Sequence, residues 1–294
     1  MKQAQMETGP AYVEKKVKRK GKITLSGIIV YTVLVLWALT TLFPLLWVAN
    51  NSFKSSGDIL SNSLSIATSL RLENFKSVFN YAKIDRAFIN SLIISGSVVF
   101  FSLFLGGFAA FALSRFEFKY KGVVNSFLYA GMLVPQFAII VPVFWILREL
   151  KVYGTYFALI IPQTAANISF AVIVLMGFMA TIPKELEEAA LVEGAGIPRI
   201  FFRIIFPISI PAFATTAILI FLWSYNDLLL SLVYLPQKTL QPICVVLSNV
   251  SSMFSVNYGA MMAAVFITII PVLILYAFSQ QYVIKGMTAG AVKG

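Results

Sequence analysis

Apolar runs dominate the chain, and polar residues fall mainly between them. A bilayer core of about 30 Å takes roughly 20 apolar residues per helix. Six runs reach that length, near Ile23 to Val48, Ala87 to Leu113, Val123 to Leu147, Tyr156 to Ile182, Phe201 to Tyr234 and Tyr258 to Ile284. They predict an all-α membrane protein with six transmembrane helices. The first run follows KKVKRKGK, as a signal peptide would. It extends well past an h-region of about 7 to 15 residues and lacks a small-x-small cleavage site, so it reads as a retained helix. The pattern divides the chain into a polar basic tail over 1–22, a six-helix domain over 23–284 and a short tail over 285–294. Within the domain, the longest polar interruption covers 51–86 and a second lies at 183–200.

Composition agrees with that class. Of 294 residues, 59% are hydrophobic and only 12% charged, far from the balance of a soluble domain. The net charge of +11 raises the question of nucleic acid, but Lys and Arg lie between the apolar runs, not in a patch interleaved with aromatic residues. That distribution argues for membrane topology and against nucleic-acid binding. A lone Cys244 gives no intrachain disulfide framework, and the absence of His argues against most transition-metal sites.

Charge also predicts orientation. The N-terminal tail, the SRFEFKYK turn, the ELEEAALVEGAG loop and the C-terminal tail fall on one side of a six-span bundle and hold 15 of the 23 basic residues. The positive-inside rule assigns that side, with both termini, to the cytoplasm. Five basic residues in the loop Asn51 to Arg86 run against the rule, although long loops count for less.

The ELEEAALVEGAGIPR segment does not follow from topology. Four of the chain's 12 acids lie between Glu185 and Glu193. Pro183 suits a first turn, Glu185, Glu187 and Glu188 complement the positive end of a helix dipole, Gly194 suits a left-handed C′ residue, and Pro198 blocks continuation. A separate helix of about three turns is predicted, with Leu186, Ala189 and Ala190 along one face. A solvated linker helix would carry the same charges.

The spacing is more specific. Glu188-Ala189-Ala190, three residues, Gly194, nine residues, Ile204, one residue, Phe206-Pro207 resembles the E-A-A-x3-G-x9-I-x-L-P loop of ABC importer permeases, with Phe206 in place of the preferred Leu. AFINSLIIS, FALSRFEF, MLVPQFAIIVPVFW, YGAMMAA and GMTAGAVKG extend the similarity over most of the chain, toward the maltose-transporter-type subunit of the carbohydrate-uptake branch. The resemblance implies the type I importer permease fold, with a cytoplasmic coupling helix that docks in an ATPase subunit through Glu185, Glu188, Ala189, Ala190, Gly194, Pro198 and Pro207. It also implies a C-terminal tail whose Thr288, Gly290, Lys293 and Gly294 contact the ATPases. The implied partners are a second homologous permease subunit, two ATPase subunits that bind ATP and Mg, an extracytoplasmic solute-binding protein and a sugar. The implied setting is a bacterial or archaeal cytoplasmic membrane.

The residues themselves offer no engine. The chain contains no G-x-x-x-x-G-K-[ST] phosphate loop and no His or Cys nucleophile constellation, and adjacent Glu187 and Glu188 point about 100° apart on a helix. A non-catalytic subunit without a cofactor of its own is therefore expected. Polar residues inside the runs, Gln163, Asn167, Tyr225, Asn226 and Asp227, are candidates to line a sugar pathway. They equally suit bonds to neighbouring helices. Asp227, the sole acid in a run, also fits a proton relay, so a proton-coupled secondary carrier stands as the rival reading. Pro135, Pro142, Pro162, Pro207, Pro211 and Pro271 interrupt the runs, and kinks there would open space between helices.

Overall fold

The computed structural model describes residues 24–250 and 257–291, so the basic tail expected over 1–22 lies outside the described residues. The chain divides into two units, 1–46 and 47–294. Helix α1 (Leu25–Asn51) supplies the described part of the first with its residues up to Leu46. Its apolar side chains, among them Tyr31, Leu34, Trp37 and Leu42, are exposed all round the helix. A helix of this kind is stable in lipid or against an apolar partner, not in water.

The second unit starts with a folded cap, formed by the loop expected over 51–86. Helix α2 (Ser56–Ser61) opens with a reciprocal capping box: Ser55 Oγ accepts from Asp58 N at 3.1 Å, and Asp58 Oδ2 accepts from Ser55 N at 3.3 Å. A bond donated by Ser55 Oγ to Asp58 Oδ2 at 2.6 Å, and next the one from Ser55 N, hold the Asp58 carboxyl below the usual carboxylate range. Helix α3 (Glu73–Ser77) runs into a π turn over Val78–Ala82. Asn74 Nδ2 donates to the carbonyls of Ser52 and Lys54 at 2.8 and 2.9 Å, closing the loop on itself.

Next come α4 (Ile84–Arg115), α5 (Lys121–Leu133), α6 (Gln136–Glu149), α7 (Phe157–Met179) and α8 (Glu185–Val192). Helix α9 (Ile197–Ile200) passes through a π turn at Phe201–Ile205 into α10 (Phe206–Tyr225), followed by α11 (Leu229–Tyr234), α12 (Ile243–Ser248) and α13 (Tyr258–Ala291). Among the described residues, five stretches are long and apolar enough to cross a membrane: Leu25–Asn51, Ile84–Arg115, Phe157–Met179, Ile197–Tyr225 and Tyr258–Ala277.

The run expected as a single third span is instead two helices, α5 and α6, set at 102°. The cause is local. Proline removes an N–H and pushes its predecessor out of the helical region, and Val134 (φ −73°, ψ 117°) and Pro135 (φ −68°, ψ 127°) are both extended. Pro44, Pro142, Pro162, Pro211 and Pro271, by contrast, sit inside continuous helices. The fifth run also ends early, at Tyr225, because Asp227 Oδ1 accepts from Leu230 N at 3.0 Å and starts α11 afresh. The sixth continues past Ile284, so the backbone of Thr288 and Gly290 is helical, whereas Lys293 and Gly294 lie outside the described residues. Each glycine there costs only about 1 kcal/mol against the propagation of a long helix.

Helices α4, α7 and α10 form the centre, with α13 on α10. In lipid, helix association rests on close van der Waals approach, and α4 supplies it with Gly106 and Gly107. A Cβ on Gly106 would lie 2.8 Å from Ala171 Cβ of α7, and one on Gly107 would lie 2.8 Å from the Phe213 ring of α10. At the far end of α4, Asn90 Nδ2 donates to the carbonyls of Thr239 and Gln241, both at 3.0 Å, and Asn90 Oδ1 accepts from Tyr156 Oη at 2.7 Å. Ser91 Oγ accepts from Ile243 N at 2.8 Å. These bonds satisfy a non-helical segment between α11 and α12.

Gly106→Ala is expected to destabilise the protein by about 1–3 kcal/mol despite its gain in helix propensity, because Ala171 Cβ is fixed to its backbone. Gly96→Ala, in the same helix with nothing within 4 Å, should be neutral or stabilising by up to about 1 kcal/mol. Denaturation of the purified protein in detergent distinguishes them.

Candidate functional site

Two places concentrate polar chemistry. The first is α8, which has eight residues and is shorter than expected. Glu185, Glu187 and Glu188 occupy its first turn, where they face the positive end of the helix dipole. Its C-terminus is a Schellman motif: Ala195 N donates to Ala190 O and Gly194 N to Leu191 O, both at 2.9 Å. Gly194 carries φ +80°, which disfavours any side chain although the surrounding space is open. Pro198 starts α9 and Pro207 starts α10, so both prolines occupy first turns.

The faces of α8 differ from the expected assignment. Glu185, Glu188, Ala189 and Val192, at helical spacing, form an exposed stripe. Ala190 turns the other way and packs with Ala195 against the core of Phe111, Leu175, Met179 and Ile200. Leu186, expected to share a packed face with both alanines, is exposed. Glu187 points inward to Arg115, the last residue of α4, with Nε and Oε1 2.5 Å apart and the two side chains 5% and 14% exposed. Arg115 Nη2 also donates to Ile182 O at 3.1 Å. Burial lifts the Glu187 carboxyl above the usual range, while Arg115 and Lys184 draw it down. The inward turn of Glu187 was not legible in the sequence, because its partner lies on another helix.

The second place is a cleft of about 670 Å³ where α6, α7 and the end of α10 meet. Gln163, Asn167, Asn226 and Asp227 line it. They are joined by Gln136 and Phe137, which the α5–α6 break delivers, and by Trp223. The V-P-Q sequence at Val134 to Gln136 is the signal for the first pair. Tyr225 does not belong to the cleft. It is buried beside Phe221 and the apolar residues of α13, with its hydroxyl 3.5 Å from Thr268 O. Helical geometry turns it about 100° from Ser224.

The cleft's polar residues also bind one another. Gln163 Oε1 accepts from Ser224 Oγ at 2.6 Å, and Gln163 Nε2 donates to Asp227 Oδ2 at 2.9 Å. Asn167 Nδ2 donates to Gln163 O at 2.7 Å, and Asn226 Nδ2 to Leu222 O at 2.8 Å. The network fixes the floor, and the exposed rings of Phe137 and Trp223 stand beside it. Amides beside aromatic faces suit a polyol, with hydroxyls to bond and C–H faces to stack. The described lining has one carboxylate and no Lys or Arg.

Known proteins share this architecture. The crystal structure of a bacterial ABC transporter involved in the import of the acidic polysaccharide alginate superposes with a TM-score of 0.77 at 21% identity, over 93% of this chain and 99% of that one. The fold is that of an ABC importer permease. Residues 102–289 match the model of the binding-protein-dependent transport system inner membrane components. Over 284 residues the chain is 34% identical to the probable ABC transporter permease protein YurM of Bacillus subtilis, covering 96% of this chain and 94% of that one. It is 33% identical over 265 residues to the diacetylchitobiose uptake system permease protein NgcG of Streptomyces coelicolor, covering 88% and 87%. The chain belongs to this family of inner membrane transport components.

Gln163→Leu would strand the Ser224 hydroxyl and remove a donor from Asp227. It is expected to lower stability by about 1–3 kcal/mol per buried group left unpaired, and Ser224→Ala by only about 1 kcal/mol. Thermal unfolding of both variants in detergent is the check.

Proposed function

We propose that the chain is a permease subunit of an ATP-driven, binding-protein-dependent importer, forming half of the translocation pathway for a sugar or oligosaccharide. It works with a second permease subunit and two cytoplasmic ATPase subunits, which bind ATP and Mg. The observation that carries this reading is the exposed stripe Glu185, Glu188, Ala189 and Val192 on a helix locked by a Schellman motif. Small residues permit close approach and carboxylates offer charge-assisted bonds to basic donors, so the stripe suits docking against an ATPase surface. The side bearing α8 is cytoplasmic in this reading, in keeping with its basic flanks. The C-terminal end, from Thr288 to Gly294, is a second contact with the ATPases.

On the opposite side, the folded cap over 51–86 receives the solute-binding protein. Support comes from a related fold, the alginate transporter, crystallised in complex with an alginate pentasaccharide-bound periplasmic protein. A sugar fits the aromatic and amide lining of the cleft, and the relative from Streptomyces coelicolor is named for diacetylchitobiose uptake. Closure of the ATPases moves α8 and alternates access to the cleft. The coupling chemistry lies in the partners; this chain supplies pathway and lever.

Glu188→Lys reverses the charge at that position and cancels the net charge of the stripe, at an exposed residue. Co-purification of the ATPase subunits is expected to fall about tenfold, the equivalent of about 1.4 kcal/mol, with loss of sugar uptake and normal membrane insertion. A variant that keeps its ATPase subunits and full uptake would refute the docking role.

A further inference from the structure

We infer that Arg115 and Glu187 form a latch that carries displacement of α8 directly into α4. The inference rests on the reading of α8 as the ATPase-docking helix. Along the backbone, α8 is joined to the bundle by the non-helical residues Ala180–Lys184 on one side and Glu193–Gly196 on the other. Non-helical connectors absorb motion, since their dihedral angles change more easily than those of a packed helix. A push on α8 therefore needs a side-chain route.

The route is narrow. On α8, Val192 is 89% exposed and Leu186 and Leu191 are exposed as well, so its apolar hold on the bundle reduces to Ala190 and the adjoining Ala195. The ion pair supplies the rest. Arg115 Nε meets Glu187 Oε1, and the same guanidinium donates through Nη2 to Ile182 O just beyond α7. One planar group thus ties together the coupling helix, the connector that follows α7 and the end of α4. A guanidinium held at two points has little freedom to pivot, unlike an ammonium on a flexible stem. Burial of both side chains keeps water from replacing either partner, which makes the contact two-state: made, or broken at high cost.

Its place on α4 gives it reach. Arg115 is the last of 32 residues in a helix that packs along α7 and α10 and reaches Asn90 and Ser91 at its other end. At 1.5 Å per residue, α4 is about 48 Å long. Movement entering at Arg115 is delivered as rigid-body motion to the segment that Asn90 holds. The three acids of the first turn then divide their work: Glu185 and Glu188 face the partner, and Glu187 faces the bundle. Arg115 and Glu187 are positioning residues; neither lines the cleft beside Asp227.

The test uses the whole transport complex in proteoliposomes with its solute-binding protein. Glu187→Gln keeps the shape of the side chain and removes its charge; Arg115→Lys keeps the charge and loses the planar fork. Both are expected to retain the ATPase subunits on co-purification, while sugar moved per ATP hydrolysed falls about tenfold for Glu187→Gln and less for Arg115→Lys. The reversed pair, Arg115→Glu with Glu187→Arg, should recover at least a third of the lost coupling, a non-additivity that independent effects would not produce. Unchanged coupling in Glu187→Gln overturns the latch, whatever the reversed pair does. Loss of the ATPase subunits from Glu187→Gln also overturns it, because the pair would then only hold α8 in shape for docking. Retention of the subunits by Glu188→Lys would count against the docking reading itself, a separate result.

Discussion

A backbone N–H or C=O left unpaired in hydrocarbon costs several kcal/mol, and the placement of polar side chains in this protein follows from that constraint. Several departures from regular helix among the described residues have a side chain assigned to them. Leu230 N at the restart after α10 finds Asp227 Oδ1; Ile243 N finds Ser91 Oγ; the carbonyls of Thr239 and Gln241 find Asn90. Breaks in the helices and polar residues in the apolar runs are therefore one phenomenon. The cleft beside Asp227 exists because α10 stops there, and α10 can stop there because Asp227 and its neighbours satisfy the ends.

This view also reorders the roles of the prolines. Five of them ride inside continuous helices, while Pro135, with Val134 extended before it, turns the chain by 102°. The turn brings Gln136 and Phe137 to the wall of the cleft. A bend at this point converts part of an apolar run into site architecture.

Much of the fold was legible in the sequence because lipid imposes a length and a composition, and the long runs display both. The left-handed Gly194 and the acidic first turn of α8 followed from helix-end chemistry, which is local. What escaped was non-local. The inward role of Glu187 does not show until Arg115 is brought beside it, and Tyr225 reads as a pathway residue until α13 is packed over it. The break at Pro135 was visible as a proline but not as a large turn, since the same residue type leaves Pro162 in an unbroken helix. Leu186 and Ala189 looked like a packing face because their spacing is right; both are exposed among the described residues.

The π turn at Phe201–Ile205 gives the spacing between α8 and α10 a further meaning. A π turn accommodates an additional residue within an otherwise α-helical path, and each residue of an α-helix advances the chain by about 100° of rotation. The nine residues that separate Gly194 from Ile204 run through this wide turn. The number therefore acts as a phase angle as well as a length. It sets the rotational offset between the left-handed glycine that ends α8 and the face that α10 shows to α4 and α7, as the keying of a cam on its shaft fixes when each lobe engages.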